Sequence, residues 1–300
     1  MTDAVRTPDE AFAGLPQFPF APRYRDWQGL RLAHLDEGDP GAPALVLFHG
    51  EPTWSFLWST VMPPLLAAGL RCVAPDLPGF GRSDKPTDLR WYSYDRHTDA
   101  TAALLDELDV RDATFVVHDW GGPIGMRIAV EHPERCARLV ILDTGLFTGR
   151  QRMTDAWLQF RAFVERTDDL PVSLLVRRAC HTDPGDEVAA AYDAPFASPE
   201  SKAGARAFPL MLPTDPGMPG AEAGQRVFEA MAADTRAKVV LWADADPVLP
   251  LALGRRFADA IGAGEPEVVD DAGHFLQEDA GARVGARIAA WLGEISHPRR

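Results

Sequence analysis

The sequence predicts an α/β protein: a mostly parallel sheet flanked by helices, with a helical cap inserted between two of its strands. Three observations carry this. Short apolar runs rich in β-branched residues alternate with amphipathic stretches. The alternation is interrupted once, between Asp143 and Lys238, by helix-like pieces and many prolines. One of the apolar runs passes through Asp119-Trp-Gly-Gly directly into a helical pattern, as a strand, a sharp turn and a helix would.

Taken in order, strands are expected at residues 44–48, 71–75, 114–118, 138–142, 238–242 and 267–270, each apolar on both faces as buried parallel strands are. Between them, residues 98–108 place Leu104, Leu105 and Leu108 on one helical face, and residues 123–131 follow a strand directly. In the interruption, helices are expected at 154–165, 171–180 and 222–232, punctuated by Pro184, Pro195, Pro199, Pro209, Pro213, Pro216 and Pro219. The stretch 209–219 reads as a loop. The organisation is therefore a core over 1–145, a cap over 146–234 and the second part of the core over 235–300. There is no internal repeat or low-complexity tract.

With 300 residues, 46% of them hydrophobic, the chain can bury a sizeable core. Its 44 acidic against 30 basic residues, a net charge of -14, argue against nucleic acid or an anionic membrane as partner, since both would repel it. Small neutral or apolar ligands remain. Cys72, Cys136 and Cys180 are an odd number without metal-site spacing, so buried reduced thiols in a cytoplasmic protein are expected, and no metal. Residues 1–20 lack the basic start and apolar run of a secretory signal, and no apolar run of about 18 residues implies a membrane span.

The strand-turn-helix at 114–122 is the nucleophile elbow of an α/β-hydrolase fold, with Asp119 where serine usually stands and Gly121 two residues on. Val117 is larger than the small residue usual two positions before the nucleophile. A carboxylate attacking a carbonyl gives an unstable anhydride, whereas attack on a saturated carbon gives an alkyl ester that water can hydrolyse. Alkyl halides and epoxides are the substrate classes this admits. Taken alone, Asp119 reads better as an ordinary helix N-cap. Two further residues change that: Asp246 follows the run 238–242, and His274 follows 267–270, giving the chain order nucleophile, acid, histidine. Asp246 before Pro247 also fits a simple turn, His274 also fits a loop histidine, and Asp244 competes for the acid role. Directly after 44–48, the loop His49-Gly-Glu-Pro-Thr-Trp can aim the backbone N–H of Glu51, together with that of Trp120, at an oxyanion.

On these residues the chain resembles the haloalkane dehalogenases, in particular those with a His-Gly-Glu-Pro-Thr-Trp loop. The resemblance runs over nearly the whole length: Arg6-Thr-Pro-Asp, Pro75-Asp-Leu-Pro-Gly-Phe-Gly-Arg-Ser-Asp-Lys-Pro, Asp119-Trp-Gly-Gly, Tyr192-Asp-Ala-Pro-Phe, Gly204-Ala-Arg-Ala-Phe-Pro and Gly273-His-Phe-Leu-Gln-Glu-Asp. It implies a small apolar halogenated substrate, attack by Asp119 on its carbon, halide departure toward indole N–H groups, ester hydrolysis by water that His274 activates, no cofactor, and a monomer or weak homo-oligomer. The family's halide donors would be Trp120 and a second Trp on the first cap helix. The matching position here is Phe160, which has no N–H, while Trp157 lies three residues earlier on the same face. His118 also departs from the family's usual polar residue and is shared with epoxide hydrolases. Two other readings stand beside this one. An epoxide hydrolase would use the same Asp and His but needs a proton donor, and Tyr192 is the cap's one tyrosine. A binding protein that kept the fold and lost the chemistry is the third.

Overall fold

The computed structural model describes residues 2–296. Its main sheet has eight strands. Five are parallel: β4 (Ala44–Phe48), β5 (Arg71–Pro75), β7 (Ala113–His118), β8 (Cys136–Leu142) and β9 (Ala237–Ala243), with the short β10 (Glu267–Val269) parallel at one edge. At the other edge β2 (Arg23–Trp27) and β3 (Leu30–Glu37) run antiparallel, and β1 (Ala4–Val5) with β6 (Lys85–Pro86) forms a separate two-stranded sheet. The order across the main sheet is β10-β9-β8-β7-β4-β5-β3-β2.

That order fixes where a site can form. From β4 the chain moves to β5 on one side, and returns as β7 on the other side of β4, so the loops after β4 and β7 diverge at a switch point. Every residue of β7 is buried, and each large apolar side chain in such a strand contributes about 1.5–3 kcal/mol. The turns at its C-terminal end therefore stand on a strongly anchored part of the molecule. Helices α1 (Met62–Ala67) and α10 (Leu276–Ser296) pack together, as do α2 (Tyr94–Glu107) and α3 (Gly121–Glu131), while α9 (Leu251–Ala260) lies on β9.

Between β8 and β9 come α4 (Asp155–Arg166), α5 (Val172–Ala179), α6 (Asp186–Asp193), α7 (Ala203–Met211) and α8 (Ala221–Ala232). The side chain of Thr154 caps α4, accepting the N–H of Trp157 at 3.1 Å. Three of these helices match the expected ones to within a residue or two. Residues 209–211 correct the expectation of a loop over 209–219: Pro209 lies inside α7, near its end, where losing one backbone donor costs little of the helix. The thiols are free as expected, with Cys72 and Cys136 buried, but Cys180 is only half-buried, at the end of α5. Strand β3, which lies between β5 and β2, was not anticipated because polar residues interrupt its apolar ones. Asp36, buried there, is held by Arg71 at 2.7 Å and Arg23 at 3.4 Å.

Candidate active site

Asp119 follows β7 with a left-handed φ of +48°. This turn lifts its carboxylate out of the sheet edge while α3 begins two residues later. Parallel pairing of β4 with β7, Phe48 opposite Val117, brings the loop after Phe48 alongside. Two glycines permit that closeness. A Cβ on Gly121 would lie 2.2 Å from the Phe48 carbonyl oxygen, and one on Gly50 would lie 2.1 Å from Asp119 Oδ1. Val117 fits because α3 presents Gly125 to it. The backbone N–H of Glu51 donates to Asp119 Oδ1 at 2.8 Å, and the Trp120 N–H also donates to this carboxylate. The two groups read from the sequence as an oxyanion hole thus converge on one carboxyl.

The other carboxylate oxygen, Oδ2, lies 3.5 Å from His274 Nε2. His274 Nδ1 lies 2.8 Å from Asp246 Oδ2, and Asp246 Oδ1 accepts the N–H groups of Val248 and Leu249 at 2.6 and 2.9 Å. Asp246 is thus the aspartate that meets the histidine. Asp244 instead accepts the Ala272 N–H at 3.1 Å and steadies the loop that carries His274. His118 Nε2 donates to the His274 carbonyl at 2.8 Å, fixing that backbone from beneath. Burial and the neighbouring His274 lower the His118 pKa to about 3, so it is neutral. Burial opposes a charge on His274, but Asp246 and Asp119 outweigh it and raise its pKa well above the ordinary value. Conversely, both carboxylates lie below the usual carboxylate range despite burial, Asp119 through its hydrogen bond to His274 and Asp246 through the charge of the same ring.

Two further carboxyls stand here that sequence reasoning did not single out for their side chains. Asp143, fully buried after β8, accepts the Ala243 N–H at 3.1 Å and shares a hydrogen bond with Asp246. Burial and the charge of Asp246 push its pKa up, which favours the neutral form of Asp143 beside ionised Asp246. The available signal was an acid directly after a buried strand, at the same sheet edge as the other three. The Glu51 side chain has one oxygen, Oε1, buried without a partner among the described residues, and burial with the charge of Asp119 raises its pKa well above the ordinary value. Glu51 therefore brings to the nucleophile a second carboxyl whose neutral form is favoured.

A pocket of about 420 Å³ opens over these groups, a volume suited to a small organic molecule. Asp119, Trp120, Glu51 and His274 line it, and so do both Trp157 and Phe160 from α4. The Trp120 ring is wedged edge-on against Phe208 at 5.0 Å, and its indole N–H meets no protein acceptor among the described residues. Asp246 stands behind His274, outside the lining. Tyr192 is also outside it: fully buried, it donates its hydroxyl to Glu278.

Comparison with known proteins identifies the fold and the family. The family described as alpha/beta hydrolase fold matches residues 43–281. The chain is 41% identical over 293 residues to a haloalkane dehalogenase of Mycolicibacterium paratuberculosis, covering 96% of this chain and 97% of that protein. It is 42% identical over 296 residues to haloalkane dehalogenase 1 of Mycobacterium tuberculosis, covering 96% and 98%. Among solved structures it is similar to the haloalkane dehalogenase of Paraglaciecola agarilytica, described as tetrameric, with a TM-score of 0.88, 35% identity and coverage of 95% and 97%.

Proposed function

Since the chain belongs to the haloalkane dehalogenases and is a hydrolase of carbon–halogen bonds, we propose the following roles for its residues. Asp119 Oδ2 attacks the halogen-bearing carbon, the carbon–halogen bond breaks, and the halide leaves toward the Trp120 indole. Oδ1, held by the N–H of Glu51, becomes the ester carbonyl oxygen, with the Trp120 N–H directed at the same carboxyl group. His274 Nε2 takes a proton from water as that water attacks the ester carbonyl carbon, and the charge that forms on Oδ1 meets the same two N–H donors. Collapse of the adduct breaks its bond to the alkyl oxygen, which takes the proton of the newly added hydroxyl and leaves as the alcohol; Asp119 returns as a carboxylate, and the proton taken from water remains on His274, whose imidazolium Asp246 stabilises.

The observation that carries this reading is the split in the Asp119 carboxylate, one oxygen accepting the Glu51 N–H at 2.8 Å and the other 3.5 Å from His274. The test follows from the two-step scheme. His274→Phe leaves alkylation intact and removes the base, so exposure to a bromoalkane should raise the intact mass by one alkyl group, located on Asp119 by peptide mapping. An unmodified mass, with wild type active, removes Asp119 from the nucleophile role.

Epoxide opening needs a proton donor for the alkoxide. Tyr192 is committed to Glu278 outside the pocket, which disfavours that reading, whereas the raised pKa of the Glu51 carboxyl favours it. Bromoalkane and styrene oxide assayed in parallel separate the two. A division into core residues 1–145, cap residues 146–234 and core residues 235–300 belongs to the same proposal, supported by α4 to α8 all falling between β8 and β9. So does a monomer or weak homo-oligomer in the cytoplasm. Among the described residues no helix is long and apolar enough to cross a membrane.

A further inference from the structure

The floor and the rim of the pocket differ in charge. At the floor, Trp120 and His274 are buried and Asp119 is only 19% exposed at its side chain. The exposed residues of the lining mark the rim: Arg152, Thr154, Arg178, Pro247 and Val248. Two of these carry a positive charge and none carries a negative one.

In a chain of net charge -14 this is unusual, because acidic side chains outnumber the basic ones available to them. Most other arginines of the cap have an acidic partner, while Arg150 and Arg166, neither of them in the pocket lining, have none among the described residues. Arg177 binds Asp183 and Asp186, Arg161 binds Glu165, and Arg206 binds Asp168. Arg152 and Arg178 have none either: among the described residues no carboxylate lies within 4.0 Å of either guanidinium, and neither donates a hydrogen bond from its side chain. Arg178 adjoins the paired Arg177 in the last turn of α5, yet has no acid of its own. A guanidinium presents a planar fork of donors matched to a carboxylate. The wall between rim and floor is largely apolar, with Leu146, Phe147, Phe160 and Leu175 among its residues.

We propose that the pocket accepts halogenated carboxylic acids, with the carboxylate at Arg152 and Arg178, the alkyl chain along the apolar wall, and the carbon–halogen bond at Asp119. This rests on the dehalogenase reading above and names a substrate class for it. The chemistry is unchanged: the carboxylate is a spectator, Asp119 displaces the halide, and hydrolysis of the ester by water releases an ω-hydroxy acid. The positive rim also draws the anion inward against the repulsion of the acidic surface.

The test compares ω-bromohexanoate with its methyl ester, equal in reacting carbon and differing in terminal charge. Exposed ion pairs are individually weak, so two of them should favour the acid by about three- to tenfold in kcat/KM at low ionic strength. The preference should shrink with added salt, and the acid-to-ester ratio should fall to one or below in the Arg152→Ala/Arg178→Ala double variant. The ratio is internal to each protein, so a general loss of activity does not mimic the effect. A wild-type ratio at or below one overturns the proposal while leaving the dehalogenase reading intact. So does a ratio that the double variant leaves in place, or one that is independent of salt. Bromide release from neither substrate, nor from bromobutane, overturns both together.

Discussion

Removing a single N–H from the floor of the pocket isolates how the halide is stabilised. Trp120→Phe keeps an aromatic ring against Phe208 and keeps the backbone N–H that serves Asp119, deleting the indole donor. That donor has no protein acceptor among the described residues, so its loss leaves no buried group unpaired. A preorganised donor aimed at developing charge is worth about 2.7–4 kcal/mol in oxyanion holes, and a halide holds its charge more diffusely. We therefore expect about 2.7 kcal/mol or somewhat less, close to a hundredfold in the alkylation rate. Chloride, the poorer leaving group, should suffer more than bromide. Rapid quenching of His274→Phe, in which alkylation is the only step left, measures this directly on matched chlorobutane and bromobutane. The companion change Phe160→Trp should raise chloroalkane turnover more than bromoalkane turnover, because both α4 positions line the pocket but Phe160 has no donor. Trp157→Phe is the control, since a large loss there assigns the second donor to Trp157. A loss below about threefold in Trp120→Phe, equal for the two halides, would refute the assignment of the indole as halide donor.

Asp246→Asn should slow ester hydrolysis by about 10⁴-fold, the scale set by triads whose acid is replaced by its amide, while Asp244→Asn, which loses one bond to the Ala272 N–H, should change turnover only a few-fold. Steady-state bromide release ranks them, and the opposite ranking would exchange their roles. Asp143→Asn should stabilise the protein at neutral pH. The folded pKa of Asp143 is raised, so its favourable contribution is present below the unfolded value and lost as pH rises through the folded one. An amide keeps both hydrogen bonds and removes that loss, which amounts to about 1.4 kcal/mol for every tenfold difference in proton affinity between the folded and unfolded chains. Thermal melts at acidic and neutral pH should show the variant ahead only at neutral pH, and a variant that is less stable there would mean that Asp143 is ionised.

The parts of this site visible in the sequence are those fixed by backbone geometry. Asp119, Asp246 and the Glu51 loop each follow a largely buried strand, and strand ends can be read from apolar runs and turn residues; His274 follows β10, which corrects the expectation of a buried strand at 267–270, since it is a short edge strand with Val268 exposed. What could not be read depends on distance. Asp244 and Asp246 are equivalent in sequence, and only the turn that directs two N–H groups onto Asp246 aims one of them at His274. Trp157 and Phe160 share a helical face and both reach the pocket, so spacing alone could not choose between them. Strand β3 escaped because Arg31, His34 and Asp36 break its apolar pattern, the charge of Asp36 being answered by Arg71, distant in sequence. The raised pKa of Glu51 and of Asp143 is a collective property: burial beside an existing anion sets it, and neither condition is local to the chain.

That collective property bears on timing. Four carboxyls surround one imidazole, and a buried site cannot hold four anions against one cation. The raised pKa values of Glu51 and Asp143 favour their neutral forms and leave Asp119 and Asp246 as the anions around a His274 whose pKa is also raised, so the resting ring favours the protonated form, which must lose its proton before it can act as a base. Alkylation supplies the reason for that loss. Once Asp119 is an ester it no longer contributes its charge or its hydrogen bond to the raised pKa of His274, while burial continues to lower it. The ring therefore sheds its proton more readily in the intermediate than in the free enzyme, and the base appears when there is an ester to hydrolyse. Two opposite pH dependences follow. Alkylation needs ionised Asp119, whose pKa is depressed, so it should persist into acid below the ordinary carboxylate range. Hydrolysis needs neutral His274, so its rate should rise with pH, with a midpoint below that of His274 in the free enzyme. Single-turnover quenching gives the two rates separately, and titration of the imidazole protons by NMR gives the free-enzyme value. A hydrolysis midpoint equal to or above that value would show that the Asp119 charge does not govern the base.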